Sequence, residues 1–489
     1  MASDLKILFA VSELAGIVKT GGLADVAAAL GPWMRNKGHD VRVIMPAYRK
    51  ALNILPTEVV GVGEVLMNGS PRGFAIRQGC FNGVPVYLIE HHHYFDREDL
   101  YTSYGEGFAD NTERFAFFCL AALQACQVLG FQPDIIHGHD WPSALLPFYL
   151  KTHEQHNPFF RQTRSVLTIH NGAYQQHTDS SLLPLLGIEP HWFTSEHFED
   201  HGRINLLKGG ILFADKITTV SPHYAEELQT ELGSHGLVQT IRRRADDFHG
   251  ILNGCDYQEW NPETDPLLPA NYSLDNLTGK QICKSFLQER AGLAARADIP
   301  LYGLVSRLTE QKGFAYLIPA LRQFLQQDVQ VVLQASGDPE LAAELRRLAE
   351  AFPDKCRFVE AYDNSLAHQI EAGADFFLMP SLFEPCGLNQ MYSMKYGTLP
   401  IVRAVGGLVD TVRGYSHQET PSEATGFVFD APDSQVLNQC LQESLAIFHQ
   451  PDVMKVLVTN AMQESFSWEQ STEDYLGVYR MALDRALEK

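Results

Sequence analysis

The chain is predicted to be an α/β protein built from doubly wound, parallel sheets in two successive lobes. Three observations lead there. Short runs rich in Ile and Val recur at 6–11, 41–45, 84–89, 135–137, 166–170 and 217–220, then at 301–306, 329–334, 356–359, 376–380, 399–403 and 426–429. Helical stretches such as 23–37, 112–129 and 142–151 lie between them. Such alternation belongs to parallel sheets covered by helices on both faces. Twelve candidate strands are many for one sheet of this kind, which divides the chain into two lobes.

The join is placed at 253–266, where Gly, Asn, Asp and two Pro residues interrupt the pattern. The expected domains are therefore an N-terminal lobe over 1–252, a C-terminal lobe over 253–465, and a last segment, 466–489. The helix of that segment, around 472–487, could pack on the second lobe or back on the first. At 489 residues the chain exceeds the size at which a single core stops growing.

Composition excludes some classes of function. Apolar residues at 45% and charged residues at 20% are ordinary for a soluble globular protein. A net charge of −21 argues against general affinity for nucleic acid or for an anionic membrane. A phosphate-bearing ligand must then be held by a local cluster of Lys and Arg. The eight cysteines are scattered without a Cys-x-x-Cys pair, which suits reduced thiols better than a disulfide framework. Only five apolar residues follow Lys6 before Ser12, too few for a signal-peptide core, and no run of about 18 apolar residues occurs. A cytoplasmic protein is expected.

The segment Lys19-Thr-Gly-Gly-Leu-Ala-Asp25 joins the first predicted strand to its helix. Gly21 and Gly22 remove both Cβ atoms, so a ligand can approach the backbone. The helix start offers unpaired N–H groups and a positive dipole end to an anion. Lys19 adds a mobile cation, and Asp25 a carboxylate in the first turn. The spacing is not that of a Walker A loop, and a tight turn without a ligand would read the same.

In open parallel sheets, ligands sit beyond the C-terminal ends of strands. In the first lobe those ends carry Glu13 with the Lys19 loop, His137-Gly-His139-Asp140 and His170-Asn171. In the second they carry Ser306-Arg307 with Lys312, Gly337-Asp338 and the stretch from Ser381 to Gly387. Facing lobes would bring the two sets together across a central cleft, which suits a transferase. Arg307 and Lys312 could clamp a diphosphate, Arg as a fork and Lys as a point charge, or be solvated surface cations. Glu384-Pro-Cys-Gly387 precedes a helix whose first turn holds Asn389 and Gln390. That helix start could hold a phosphate while Glu384 faces a sugar, or Glu384 could be a capping or salt-bridged carboxylate.

His137, His139 and the tract His91-His92-His93 have ligand-like spacing, but no convincing third and fourth ligands accompany them, so no metal is expected. No Asp-x-Asp triplet is present to offer Mg²⁺ to a nucleotide sugar. Cys386 has no neighbouring grouping that would activate a thiolate, so it reads as a packed or substrate-lining residue.

Taken together the motifs resemble the bacterial glycogen synthases and plant starch synthases, retaining glucosyltransferases of the GT-B fold with two Rossmann-like domains. The matching residues run nearly end to end: Lys19-Thr-Gly-Gly-Leu-Ala-Asp25, Tyr94-Phe-Asp-Arg97, Asp110-Asn-Thr-Glu-Arg114, His139-Asp-Trp141 and Thr168-Ile-His-Asn171. They continue through Lys208-Gly-Gly-Ile211, Asn253-Gly254, Ser306-Arg-Leu308, Gln311-Lys-Gly313 and Glu384-Pro-Cys-Gly-Leu-Asn-Gln-Met-Tyr392. The ordered set is far more specific than any member.

The resemblance implies transfer of glucose from ADP-glucose to the non-reducing end of an α-1,4-glucan such as glycogen, with no cofactor. It implies that Lys19, Gly21 and Gly22 lie beside the donor phosphate and sugar, with Asp25 in the same loop. His170 would hydrogen-bond the transferring glucose, Arg307 and Lys312 would neutralise the departing diphosphate, and Glu384 would contact ring hydroxyls. The amides after Gly387 would hold the distal phosphate and Tyr362 would stack on the base. Asp140, Asn171, Asn253, Cys386 and Leu388 complete the implied substrate contacts.

Four positions depart from the family pattern. Gly16 stands where many relatives have Pro, Ala335 replaces a common Gly, and 231–236 differs from a glycine-rich loop on the acceptor side. Tyr392 stands where other retaining GT-B enzymes carry a second Glu, a change shared with glycogen synthases. Sucrose-type or trehalose-type synthases would keep that Glu. A non-catalytic glucan-binding protein would have no need of Lys19, Arg307 and Lys312 together.

Overall fold

The computed structural model describes residues 4–103, 106–415 and 423–484. The chain divides into two compact units, one of Met1–Gly254 with Trp468–Lys489, the other of Cys255–Ser467.

The first unit is built on a nine-stranded sheet. Its order is Phe248–Gly250, Lys216–Thr219, Arg164–Ile169, Ile135–His139, Lys6–Ala10, Asp40–Pro46, Val84–Glu90, Ser70–Phe81 and Glu58–Met67. The seven strands from Phe248–Gly250 to Val84–Glu90 are parallel. Ile7, Phe9, Val41, Val43, Ile135 and Val166 are buried, which is why these strands read as continuous apolar runs rather than alternating ones.

The other two strands correct the expectation of a wholly parallel sheet. Glu58–Met67, Ser70–Phe81 and Val84–Glu90 form an antiparallel meander at one edge. Its corners are Asn68-Gly69 and Asn82-Gly83, both in the left-handed region (φ +49° and +73°, then +49° and +76°). Two-residue Asn-Gly turns of this kind match the twist of a hairpin.

The C-terminal helix, Trp468–Asp484, belongs to this unit. Trp468, Tyr475, Leu476 and Tyr479 enter the same core as Phe9 and Ile135. Lys37, just past the helix Gly22–Asn36, pairs with Glu473 at 2.7 Å, and Ser471 Oγ donates to the Leu252 carbonyl at 2.6 Å. Positions 485–487 of the expected helix lie outside the described residues.

The second unit holds a six-stranded sheet, parallel throughout, in the order Cys356–Val359, Gln330–Gly337, Leu301–Leu308, Phe376–Met379, Leu399–Arg403 and Phe427–Phe429. Its helices start where local chemistry directs. Asp338 accepts from the amides of Glu340 (2.8 Å) and Leu341 (3.1 Å), and Pro339 opens the helix Pro339–Ala351, where a missing N–H costs nothing. Among the described residues no helix is long and apolar enough to cross a membrane.

Candidate active site

In the first unit, three neighbouring parallel strands deliver the polar residues. Lys6–Ala10, Ile135–His139 and Arg164–Ile169 lie side by side, and their C-terminal ends carry Glu13 with the Lys19 loop, Asp140, and His170-Asn171.

The Lys19 loop differs from the expected bare nest with a mobile cation. The buried Glu13 carboxylate accepts from the Thr20 amide and hydroxyl and, at 3.1 Å, from the Gly21 amide. Tyr101 OH donates to the same carboxylate at 2.8 Å. Lys19 Nζ pairs with Asp25 Oδ1 at 2.7 Å, so the cation is tethered to the first helical turn. A Cβ at Gly21 or Gly22 would meet nothing within 4 Å, so the space over the loop is open. Gly16, at φ +89°, lies under the ring of Phe81, which an added Cβ would strike at 2.4 Å. Proline, locked near φ −65°, has no access to this conformation.

Beside the loop, His137, His139 and His170 form a buried group. His139 Nδ1 lies 2.9 Å from His170 Nε2. His137 is held through Nε2 by Thr168 Oγ1 (2.6 Å) and through Nδ1 by Tyr479 OH (2.8 Å) from the C-terminal helix. These rings bond to one another and to hydroxyls. They do not converge as ligands. Burial pushes His137 and His170 down to about 3 and His139 well below its ordinary value, so all three are neutral at physiological pH. The Asp140 side chain accepts from the amides of His170 (2.7 Å) and Asn171 (3.5 Å), and burial raises its carboxyl to about 7. Asp140 itself sits at φ +55°, a strained conformation that aims this carboxyl back at the next strand end. Asn171 is half-buried; its Oδ1 accepts from the Ala173 amide. Asn253 is buried, and its Oδ1 has no partner among the described residues.

In the second unit, Leu301–Leu308 and Phe376–Met379 are adjacent strands. Arg307 is exposed near the end of the first and makes no ion pair among the described residues. Lys312 ends the 3₁₀ turn Glu310–Lys312 and pairs with Glu384 Oε2 at 2.5 Å; Ser381 Oγ donates to the same oxygen at 2.8 Å. Glu384 is thus a buried, salt-bridged carboxylate.

The turn that carries it is braced from several directions. The Leu382 amide donates to Gln311 O at 2.7 Å, Gln311 Nε2 to Phe383 O at 3.1 Å, and Arg403 Nη1 to Leu382 O at 2.6 Å. Tyr316 OH donates to Pro380 O, and the Gly407 amide to Glu384 O at 3.1 Å. Cys386 is buried. Gly387 and Leu388 precede the helix Asn389–Lys395, and their amides make no hydrogen bond among the described residues. Tyr362 is 73% exposed, its hydroxyl donating to Asn364 Oδ1 at 3.0 Å.

Comparison with known proteins follows the same division. Residues 6–243 match the starch synthase catalytic domain and residues 286–454 match the glycosyl transferases group 1 domain. The glycogen synthase of Aeromonas salmonicida is 49% identical, with 99% of each chain covered. That of Vibrio parahaemolyticus serotype O3:K6 is 48% identical over the same shares. The chain belongs to the glycogen synthase family. It is a glycosyltransferase of the GT-B fold, with two Rossmann-like α/β units. Among solved structures, the catalytic domain of starch synthase IV from Arabidopsis thaliana, bound to ADP and acarbose, superposes with a TM-score of 0.90 at 34% identity, covering 99% of this chain and 100% of that one. Sucrose-phosphate synthase from Thermosynechococcus elongatus, at 17% identity and a TM-score of 0.59 over 98% and 99% of the two chains, shares the fold.

For this glycogen synthase family member, sequence reasoning found the residues at strand ends and missed those that hold them. Tyr101, Tyr316 and Arg403 are distant in sequence from the groups they support, whereas Ser381, close to Glu384, lies in the strand-end stretch already named. His139 stands in the sequence reading as a strand-end residue, a motif residue and a possible metal ligand, but not as a partner of His170. Its place one strand from His170 was the available signal.

Proposed function

We propose that this glycosyltransferase takes ADP-glucose as donor and extends the non-reducing end of an α-1,4-glucan, glycogen in the cell, with retention of configuration. The observation that carries the reading is the second unit's charge arrangement, with Lys312 locked to Glu384 at 2.5 Å and Arg307 exposed on the adjacent strand end. A lysine ammonium has three N–H donors, so Lys312 can keep Glu384 and still reach a phosphate oxygen. Loss of a nucleoside diphosphate builds negative charge on the leaving oxygen, and cations fixed beforehand stabilise it without reorganising.

In this reading Arg307 and Lys312 meet the diphosphate, and the unspent amides of Gly387 and Leu388 take its distal phosphate. Cys386 lines the same turn. Tyr362, 73% exposed, offers a ring face to the base. Glu384, already oriented by Lys312 and Ser381, accepts from sugar hydroxyls. From the first unit, His170 meets the transferring glucose as a neutral imidazole, while Lys19, Gly21, Gly22 and Asp25 border the donor, and Asp140, Asn171 and Asn253 the sugars. Adenine as the base is supported by the 34% identical starch synthase that carries ADP.

The leaving group departs from the face that the acceptor hydroxyl enters, so that hydroxyl can pass its proton to the departing phosphate oxygen. Glu384 is engaged by Lys312, which argues against a nucleophilic carboxylate. The deciding experiment is incorporation of labelled glucose into glycogen from ADP-glucose and, in parallel, UDP-glucose. Faster incorporation from ADP-glucose is expected; absence of transfer from either would sink the reading.

A further inference from the structure

We propose that His139 is a positioning residue that fixes the tautomer of His170, holding the His170 proton on Nδ1. The inference rests on the reading that His170 meets the transferred sugar, but its first test does not depend on that reading.

A neutral imidazole carries one N–H and one lone pair. His139 Nδ1 and His170 Nε2 are 2.9 Å apart, so one of these nitrogens carries a hydrogen and the other accepts it. If His170 were the donor, His139 would carry its own proton on Nε2. That atom is buried and has no hydrogen-bond partner among the described residues. A sealed N–H without an acceptor is rarer in proteins than an acceptor left unfilled. The arrangement with fewer stranded donors puts the His139 proton on Nδ1, where it is donated to His170 Nε2. The remaining proton of His170 then lies on Nδ1, which has no partner among the described residues and is not sealed from solvent.

The surroundings prevent His139 from turning to escape this choice. Its ring lies 4.2 Å from that of His137 and meets the edge of Phe9 at 5.8 Å. His137 is itself tied at both nitrogens, to Tyr479 OH and Thr168 Oγ1. A buried stack rooted in the C-terminal helix therefore sets which atom His170 presents. With the proton on Nδ1, His170 donates to a sugar oxygen; with a lone pair there it could only accept.

Nitrogen NMR of the full-length enzyme with isotope-labelled histidine, at neutral pH, distinguishes the two tautomers, and His170→Gln assigns the resonance. Wild type is expected to show His170 protonated on Nδ1. His139→Asp, whose carboxylate accepts where the imidazole donates, is expected to draw that proton to Nε2 and lower kcat about tenfold, with KM for glycogen little changed. His139→Asn, whose amide can donate from nearly the same position, should keep the Nδ1 proton and most of kcat. A wild-type spectrum with His170 protonated on Nε2 overturns the proposal, as does an unchanged tautomer in His139→Asp. Should His139→Asp fail to fold, the wild-type spectrum and His139→Asn decide alone. If the tautomer shifts as expected and kcat does not move, the tautomer control stands and the role given to His170 in transfer falls.

Discussion

Lys312 Nζ lies 2.5 Å from Oε2 of Glu384, with the lysine side chain 19% and the glutamate side chain 8% exposed. The pair joins two adjacent strand ends, and neither member is replaceable alone. Lys312→Ala removes a cation from the diphosphate and leaves a buried carboxylate with Ser381 as its remaining partner. Turnover is expected to fall by about 10²–10³, the usual scale for losing a preorganised charge stabiliser. Glycogen binding should change little. Equal losses in turnover and in glycogen affinity would contradict the leaving-group role. Lys312→Ala/Glu384→Ala should cost far less than the two single losses combined, because the residues act as one unit.

Glu13 is the anchor of the Lys19 loop. Its carboxylate collects the Thr20 and Gly21 amides, the Thr20 hydroxyl and Tyr101 OH. Glu13→Ala should raise KM for the donor about tenfold or more, since several part-buried donors lose their acceptor at once. Glu13→Gln, which keeps one acceptor oxygen, should fall between. Steady-state kinetics at saturating glycogen checks the order, and a donor KM unaltered in Glu13→Ala would remove the loop from the donor site.

Two glycines separate folding from ligand approach. Gly313 sits at φ +75°, and a Cβ there would lie 1.8 Å from the Pro380 carbonyl oxygen. Gly313→Ala should destabilise the second unit by about 3 kcal/mol or more and abolish activity with it. Gly21 is extended and its Cβ would meet nothing, so Gly21→Ala should leave the melting temperature within about 1–2 °C of wild type. Any loss of activity in Gly21→Ala then reports a ligand over the loop. Full activity in that variant would show that nothing approaches there.

The buried histidines predict acid sensitivity. His137 and His170 are held near 3 and His139 well below its usual value, while the unfolded chain takes up protons on all three below about pH 6.5. Their contribution is present above that pH and is lost as pH falls. Asp140 works in the opposite sense. Burial raises its carboxyl to about 7, so the folded state already holds a proton that the unfolded chain binds only near pH 4. Asp140 offsets one histidine, leaving a net uptake of about two protons on unfolding. These four groups should contribute a loss of roughly 2–3 kcal/mol per pH unit between about pH 6 and 4.5. His39, His91, His153, His197, His235 and His249, also lowered by burial, act in the same sense. Urea midpoints measured across that range check it, and a flat profile would count against neutral buried rings.

How legible the molecule was in its sequence depended on the range of the interaction. The parallel strands were readable because burial on both faces makes each a continuous apolar run, as in Lys6–Ala10 and Leu301–Leu308. The edge hairpins were readable in principle: Asn68-Gly69 and Asn82-Gly83 are strong two-residue turn signals, but exposed Val59, Val62 and Leu66 blurred the alternation of the outermost strand. Candidate site residues were visible because they follow strand ends.

The chain alone thus determined two doubly wound α/β lobes, the strand-end residues and, through an ordered series of motifs, the family. Periodicity and turn chemistry are local, and they survive in a one-dimensional reading. Tertiary structure alone decided that Glu13 fills the amides of the Lys19 loop, that Lys312 is spent on Glu384, that the C-terminal helix puts Tyr479 onto His137, and that His139 meets His170. Each of the last three joins residues from 31 to 342 positions apart, and only the stacking of parallel strands and the helix upon them brings such groups within hydrogen-bond reach. Glu13 is close to its loop in sequence, yet whether its carboxylate turned inward depended on Tyr101, 88 residues away, to share the buried charge.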